Sequence, residues 1–130
     1  MLSKTPKRLK PTDGELEILS VLWEKGPLTV REIHAELETK RDMGRTTVLK
    51  LVQIMTEKGL VSRDDTSRPS RFAAGPTKEA TQTSLLEDLL TKAFGGSAEM
   101  LVMHVLGGKS TKPEELEAIR NLLSRVEKER

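Results

Sequence analysis

The residues from Asp42 to Ala74 constrain the fold of this chain more than any other stretch. The run Arg45-Thr46-Thr47-Val48-Leu49-Lys50-Leu51-Val52-Gln53-Ile54-Met55 leads into Glu57-Lys58-Gly59. Val48, Leu51, Val52 and Met55 recur at helical spacing, which predicts a helix with one buried stripe and a stop at the glycine. Leu60 to Arg63 reads as a short strand, and Arg71-Phe72-Ala73 as a second, with Arg68-Pro69 in the charged turn between them. A helix, a glycine stop and a cation-tipped hairpin follow the order of a recognition helix and its wing, so DNA binding is the leading reading.

Upstream, two short capped helices complete a helix-turn-helix. Thr12 with Glu15 three residues on, and Thr29 with Glu32, both have the capping-box spacing. The first helix presents Leu16, Leu19, Leu22 and Trp23 on one face and ends at Lys25-Gly26-Pro27, because proline cannot continue a helix. Leu28 is a short extended piece. The second helix runs through Ile33 and Leu37 to about Thr39, and Lys40 to Gly44 form the turn into the third.

The buried stripe of the third helix determines what its other face can do. Arg45, Thr46, Leu49, Lys50 and Gln53 point away from the core. Thr47, just before the first buried position, has a hydroxyl of short reach. Cations, hydroxyls and an amide on one exposed face can reach both phosphates and base edges. Arg63, Arg68 and Arg71 sit on a hairpin with little core of its own to serve, which suits contacts to the flanking backbone. Residues 1–76 carry 14 Lys and Arg against 11 Asp and Glu, while 77–130 carry 8 against 9. That asymmetry leans the first part toward a polyanion. Residues 1–11, with Lys4, Lys7, Arg8 and Lys10 and no acid among them, read as a flexible basic arm.

Pro76 marks the expected end of the winged helix-turn-helix domain, residues 12–76, and the start of a helical dimerisation domain, 77–130. The fold class is mostly α with a small β-wing. A fourth helix begins near Thr77 and buries Leu86, Leu89, Leu90 and Ala93 before Gly95-Gly96. A fifth, about Ala98 to Leu106, is nearly all apolar. A sixth has Pro113 in its first turn and repeats Leu116, Ile119, Leu123 and Val126. Three thin helices of about 54 residues cannot enclose the fifth by themselves. Leu101, Val102, Met103, Val105 and Leu106 must therefore be covered by another chain or by the first domain. A homodimer, sealed with Leu86, Leu89, Leu90, Leu116, Ile119 and Leu123, is favoured.

Several classes are excluded or disfavoured. Without cysteine there is no disulfide framework, thiolate nucleophile or thiolate metal site, and a reducing cytoplasm is the natural setting. His34 and His104 are the only histidines, and no catalytic set, metal site or cofactor loop is visible. The longest apolar run, Met100 to Met103, is far below the ~20 residues of a membrane span. Two readings compete with a repressor on DNA. One is a winged-helix protein–protein interaction module docking through Leu49 and Ile54. The other is a small-molecule-gated repressor with a pocket between its domains.

The ordered set of residues resembles the penicillinase-repressor family, which includes the beta-lactamase and methicillin-resistance repressors. Leu16-Glu17-Ile18-Leu19, then Leu22 to Ile33, are similar to its first two helices. Thr47-Val48, Leu51 and Glu57-Lys58-Gly59-Leu60-Val61 are similar to its recognition helix and exit. Lys92-Ala93-Phe94-Gly95-Gly96 and the Glu115-Leu116 to Leu122 helix extend the likeness over roughly residues 10–125. The resemblance implies a repressor that binds palindromic double-stranded operators as a dimer held by C-terminal helices. In some members a membrane sensor protease triggers cleavage of an Asn-Phe bond in the fifth helix; His104-Val105 stand at the matching positions here. Copper-responsive relatives carry Cys-x-Cys pairs that this chain lacks.

Overall fold

The computed structural model describes residues 10–40, 42–108 and 111–129. The basic arm expected over residues 1–11 falls almost wholly outside them. The chain divides into two compact units, Met1–Leu85 and Leu86–Arg130.

In the first unit, α1 (Asp13–Lys25), α2 (Val30–Glu38) and α3 (Arg45–Lys58) precede β1 (Val61–Asp64) and β2 (Arg71–Ala74). Both expected capping boxes form. The Thr12 hydroxyl accepts from the Glu15 amide while Glu15 accepts from the Thr12 amide, and Thr29 and Glu32 repeat the arrangement. Each box satisfies two amides that a helix start otherwise leaves without partners.

The core is aliphatic. Ile18, Leu19, Ile33, Leu37, Val48, Val52 and Met55 are fully buried, with Val21, Leu22, Leu60, Val61 and Phe72 around them. Two expectations about the stripes need correction. On α1 the face turns toward Ile18 and Val21, leaving Leu16 and Trp23 half-buried. On α3 Leu51 is half-buried, because it lies against the start of α1: a Cβ on Gly14 would stand 3.2 Å from its Cδ1. The sequence also hides a polar tie. The Glu15 carboxylate, 1% exposed, takes both oxygens to the Lys58 ammonium at 3.0 Å, joining the start of α1 to the end of α3.

The strands lie one residue later than expected at β1 and extend one residue further at β2. They pair antiparallel with Val61 opposite Ala74 and Arg63 opposite Phe72. Leu28, the expected extended piece, bridges the other edge of β2, exchanging both backbone bonds with Phe72 at 3.1 and 2.7 Å. Gly59 caps α3 at φ 84°, a left-handed turn that glycine enters without steric cost. Gly75 is required for a different reason: a Cβ there would stand 2.6 Å from the Gly59 carbonyl oxygen. The Trp23 indole N–H donates to the Pro76 carbonyl at 3.0 Å and pins the exit of the wing to α1.

α4 (Lys78–Phe94) starts in the first unit, where Thr81 is buried, and the division falls after Leu85. The second unit holds the rest of α4, α5 (Ala98–Gly107) and α6 (Pro113–Glu129). The Ser97 hydroxyl caps α5, and Phe94 meets the His104 ring edge-on with centroids 5.4 Å apart. Among its described residues none is buried. Leu86 and Leu89, expected to be covered, are about half exposed in the single chain, as are Met100, Val102, Val105, Leu122 and Leu123, and Met103 is 61% exposed. Three helices of this length have too little mutual surface to bury so many side chains. No helix among the described residues is long and apolar enough to cross a membrane.

Candidate nucleic-acid interface

The exposed side of α3 carries the residues expected there. Arg45, Thr46, Thr47, Lys50 and Gln53 all face outward, on the other side of the helix from the buried Val48, Val52 and Met55. The start of α3 differs from those of α1 and α2. Its N-cap is Gly44, with no side-chain cap bond, and its first turn holds no acid but does hold Arg45. Uncapped amides at the positive end of a helix dipole, next to a guanidinium, favour an anion such as a phosphate. The sequence signal was available: Gly44 has no side chain to cap with, and no Glu or Gln follows three residues on.

Leu49 and Gln53 occupy a different part of this face from Arg45 and Thr46. With Thr29 and Val30 at the start of α2 and with Arg63, Pro69 and Phe72 of the wing they line an open groove of about 610 Å³. Leu49, 44% exposed, is one of its apolar lining residues, with Phe72 and Val30. The structure thus brings Gln53 and Arg63 to one groove and leaves Arg45, Thr46, Thr47 and Lys50 outside its lining.

The three wing arginines are not equivalent. Arg71, half exposed, reaches back to the Pro27 carbonyl and the Glu32 carboxylate at 3.5 Å, so it ties β2 to the start of α2. The Thr29 amide, with help from Arg71, holds the Glu32 carboxyl below its ordinary pKa. Arg63 donates its Nε–H to Asp65 Oδ1 at 2.7 Å, and the Ser70 hydroxyl donates to the same oxygen. Asp64 accepts from the amide and hydroxyl of Thr66. Bonds from Ser70 first and Arg63 second lower the Asp65 pKa, and bonds from Thr66 lower that of Asp64. Arg68 is exposed at the turn, before Pro69. The three arginines are plain in the sequence, whereas the bonds of Asp64 and Asp65 within the turn follow no periodicity that would reveal them.

A helix-turn-helix with an outward cationic third helix and a two-stranded wing now has a match. The sequence model of the penicillinase repressor family covers residues 11–125. The chain belongs to the penicillinase repressor family. It is 30% identical over 118 residues to the transcriptional regulator BlaI of Mycobacterium tuberculosis, covering 88% of this chain and 84% of that one. It is 18% identical over 122 residues to the penicillinase repressor of Staphylococcus aureus, covering 94% and 97%. A MarR family protein from Bacillus stearothermophilus superposes with a TM-score of 0.48 at 24% identity, over 91% of this chain and 74% of that one. Membership of a family of transcriptional regulators agrees with the expectation drawn from the helices, the wing and the resemblance.

Proposed function

We propose that this DNA-binding transcriptional repressor acts in the cytoplasm as a homodimer on an inverted-repeat operator. Each protomer lays α3 in a major groove, with Arg45, Thr46, Thr47, Lys50 and Gln53 toward the duplex and Arg63 and Arg68 toward the flanking backbone. Arg71 acts mainly by holding the wing against α2. The observation that carries the reading is the division of α3 into a buried aliphatic stripe and an outward face of two cations, two hydroxyls and an amide.

The second unit supplies the dimer. Ten large apolar side chains there are 39–61% exposed, and burying the exposed half of each contributes about 1 kcal/mol. Leu90, Leu101, Leu106 and Ile119, half-buried in the single chain, complete the surface with Leu86, Leu89, Val102, Met103, Val105, Leu116 and Leu123. A two-fold interface presents the same patch from both copies. Linking two weakly bound half-sites makes the second contact intramolecular and raises affinity steeply. A cut at His104-Val105, in the exposed α5, would divide this unit and release the operator; a membrane sensor protease is the trigger that family resemblance suggests.

Gel shift and footprinting on the DNA upstream of the chain's own gene, with a salt titration, test the reading. The expected result is one salt-sensitive complex protecting two half-sites about one helical turn or a multiple apart. Binding to a protein partner with no protected duplex would replace it with the interaction-module reading.

A further inference from the structure

Asp65 is the one acid in the wing that draws donors from opposite ends of the turn. Its Oδ1 accepts from the Arg63 Nε–H and from the Ser70 hydroxyl, across five residues of chain. A guanidinium and a hydroxyl converging on one anionic oxygen is the donor set that protein wings and loops offer to a DNA phosphate. Both Arg63 and Ser70 also line the groove beside α3. We propose that Asp65 is an internal surrogate for a DNA phosphate, occupying the Arg63 and Ser70 donors in the free protein and competing with the duplex backbone for them.

This inference rests on the DNA-binding reading and concerns how strongly the wing binds. The Arg63–Asp65 pair is exposed, with side chains 57% and 67% accessible. Exposed pairs are weak, so a phosphate displaces the carboxylate readily; the displaced charge then stays near the backbone it has lost to. The competition is indifferent to base sequence, because neither Asp65 nor a phosphate carries base information. It attenuates binding to every duplex alike and leaves the preference for the operator over bulk DNA unchanged. The lowered Asp65 pKa, caused chiefly by Ser70 and then by Arg63, agrees with a carboxylate held by the donors it would have to surrender.

The test compares full-length wild type with Asp65→Asn, Asp64→Asn, Arg63→Ala and the Arg63→Ala/Asp65→Asn double variant, by fluorescence anisotropy on an operator duplex and on a scrambled duplex. Asparagine keeps the shape and an acceptor oxygen, and Asp64 controls for loss of one negative charge because its bonds go to Thr66. Asp65→Asn is expected to tighten both duplexes by about fivefold at low salt, the size of one weak pair and one like-charge contact removed. The gain shrinks as salt screens it. Asp64→Asn gives a smaller gain, and in the Arg63→Ala background the gain from Asp65→Asn is clearly reduced, toward the size of the Asp64→Asn gain. Equal gains from the two aspartate variants, a gain undiminished without Arg63, a gain on the operator alone, or weaker binding each overturn the proposal. An amide NMR spectrum of Asp65→Asn with the Phe72 and Leu28 signals in place shows that the wing is folded; their loss with weaker binding makes Asp65 a structural residue of the turn and likewise overturns it. If wild type binds neither duplex, the DNA reading fails first and takes this inference with it.

Discussion

Replacing Lys58 with methionine removes the cation from the most deeply buried charge among the described residues of the first unit. The Glu15 carboxylate is 1% exposed and holds the Lys58 ammonium at 3.0 Å through both oxygens, while its Oε1 also accepts from the Thr12 amide. Stripping one partner from a buried pair costs about 3–5 kcal/mol, since the other charge is left in a poor solvent. The Lys58 side chain is 25% exposed, so water can reach the orphaned site, and the loss falls at or below the bottom of that range, about 2–3 kcal/mol. For a unit of this size such a loss lowers the melting midpoint by about 10–15 °C. Methionine keeps the apolar stem, which separates charge from packing. Glu15→Gln in the same background removes the stranded charge and keeps the oxygen that serves the capping box, so the double variant should recover part of the loss. Urea unfolding followed by Trp23, the only tryptophan, reports on this unit. A loss for Lys58→Met under about 0.5 kcal/mol, in the range of exposed pairs, would refute the reasoning.

Gly75→Ala should destabilise the wing by about 1–3 kcal/mol, because the new Cβ meets the Gly59 carbonyl at 2.6 Å; faster hydrogen exchange at the Phe72 amide than at Leu19 would locate the damage. Glu32 has its carboxyl pKa lowered by the Thr29 amide and Arg71. It therefore contributes stability above its unfolded pKa, and that contribution fades as pH falls through the lower folded value. Glu32→Gln should flatten the acid limb of the stability curve, and an unchanged limb would show that the bond adds nothing. Met103→Asp places a charge on a surface meant to be dry. Analytical ultracentrifugation should find wild type dimeric and the variant monomeric, with tight operator binding lost; a dimeric variant would move the interface elsewhere.

Much of the first unit was legible because its signals are local. Thr12 with Glu15 and Thr29 with Glu32 announce helix starts by spacing alone, and Val48, Val52 and Met55 announce a buried face by period. The misses are contacts that join distant parts of the chain. Glu15 meeting Lys58 across 43 residues, and Arg71 meeting Glu32 across 39, leave no periodic trace. The turn of the α1 stripe toward Ile18 and Val21 likewise depends on where α3 and the wing close over it. In the candidate interface the outward residues of α3 followed directly from its buried stripe. The neutralisation of Arg63 by Asp65, and the place of Leu49 in a groove with Phe72, required the folded hairpin. In the second unit the apolar positions were plain, but three helices of this length cannot bury them among themselves, which is what supports the proposed partner copy.

The most direct test of the central claim is operator affinity of Arg45→Ala and Lys50→Ala as a function of salt, with circular dichroism as the control for folding. Both side chains are exposed opposite the α3 core, so truncation leaves no cavity. Intact helices and weakened binding are expected in both. A phosphate contact should flatten the salt slope by about one unit on every sequence, and a base contact should cost ~1–3 kcal/mol at one operator position. Wild-type affinity and slope in both folded variants would contradict α3 as the DNA-reading element.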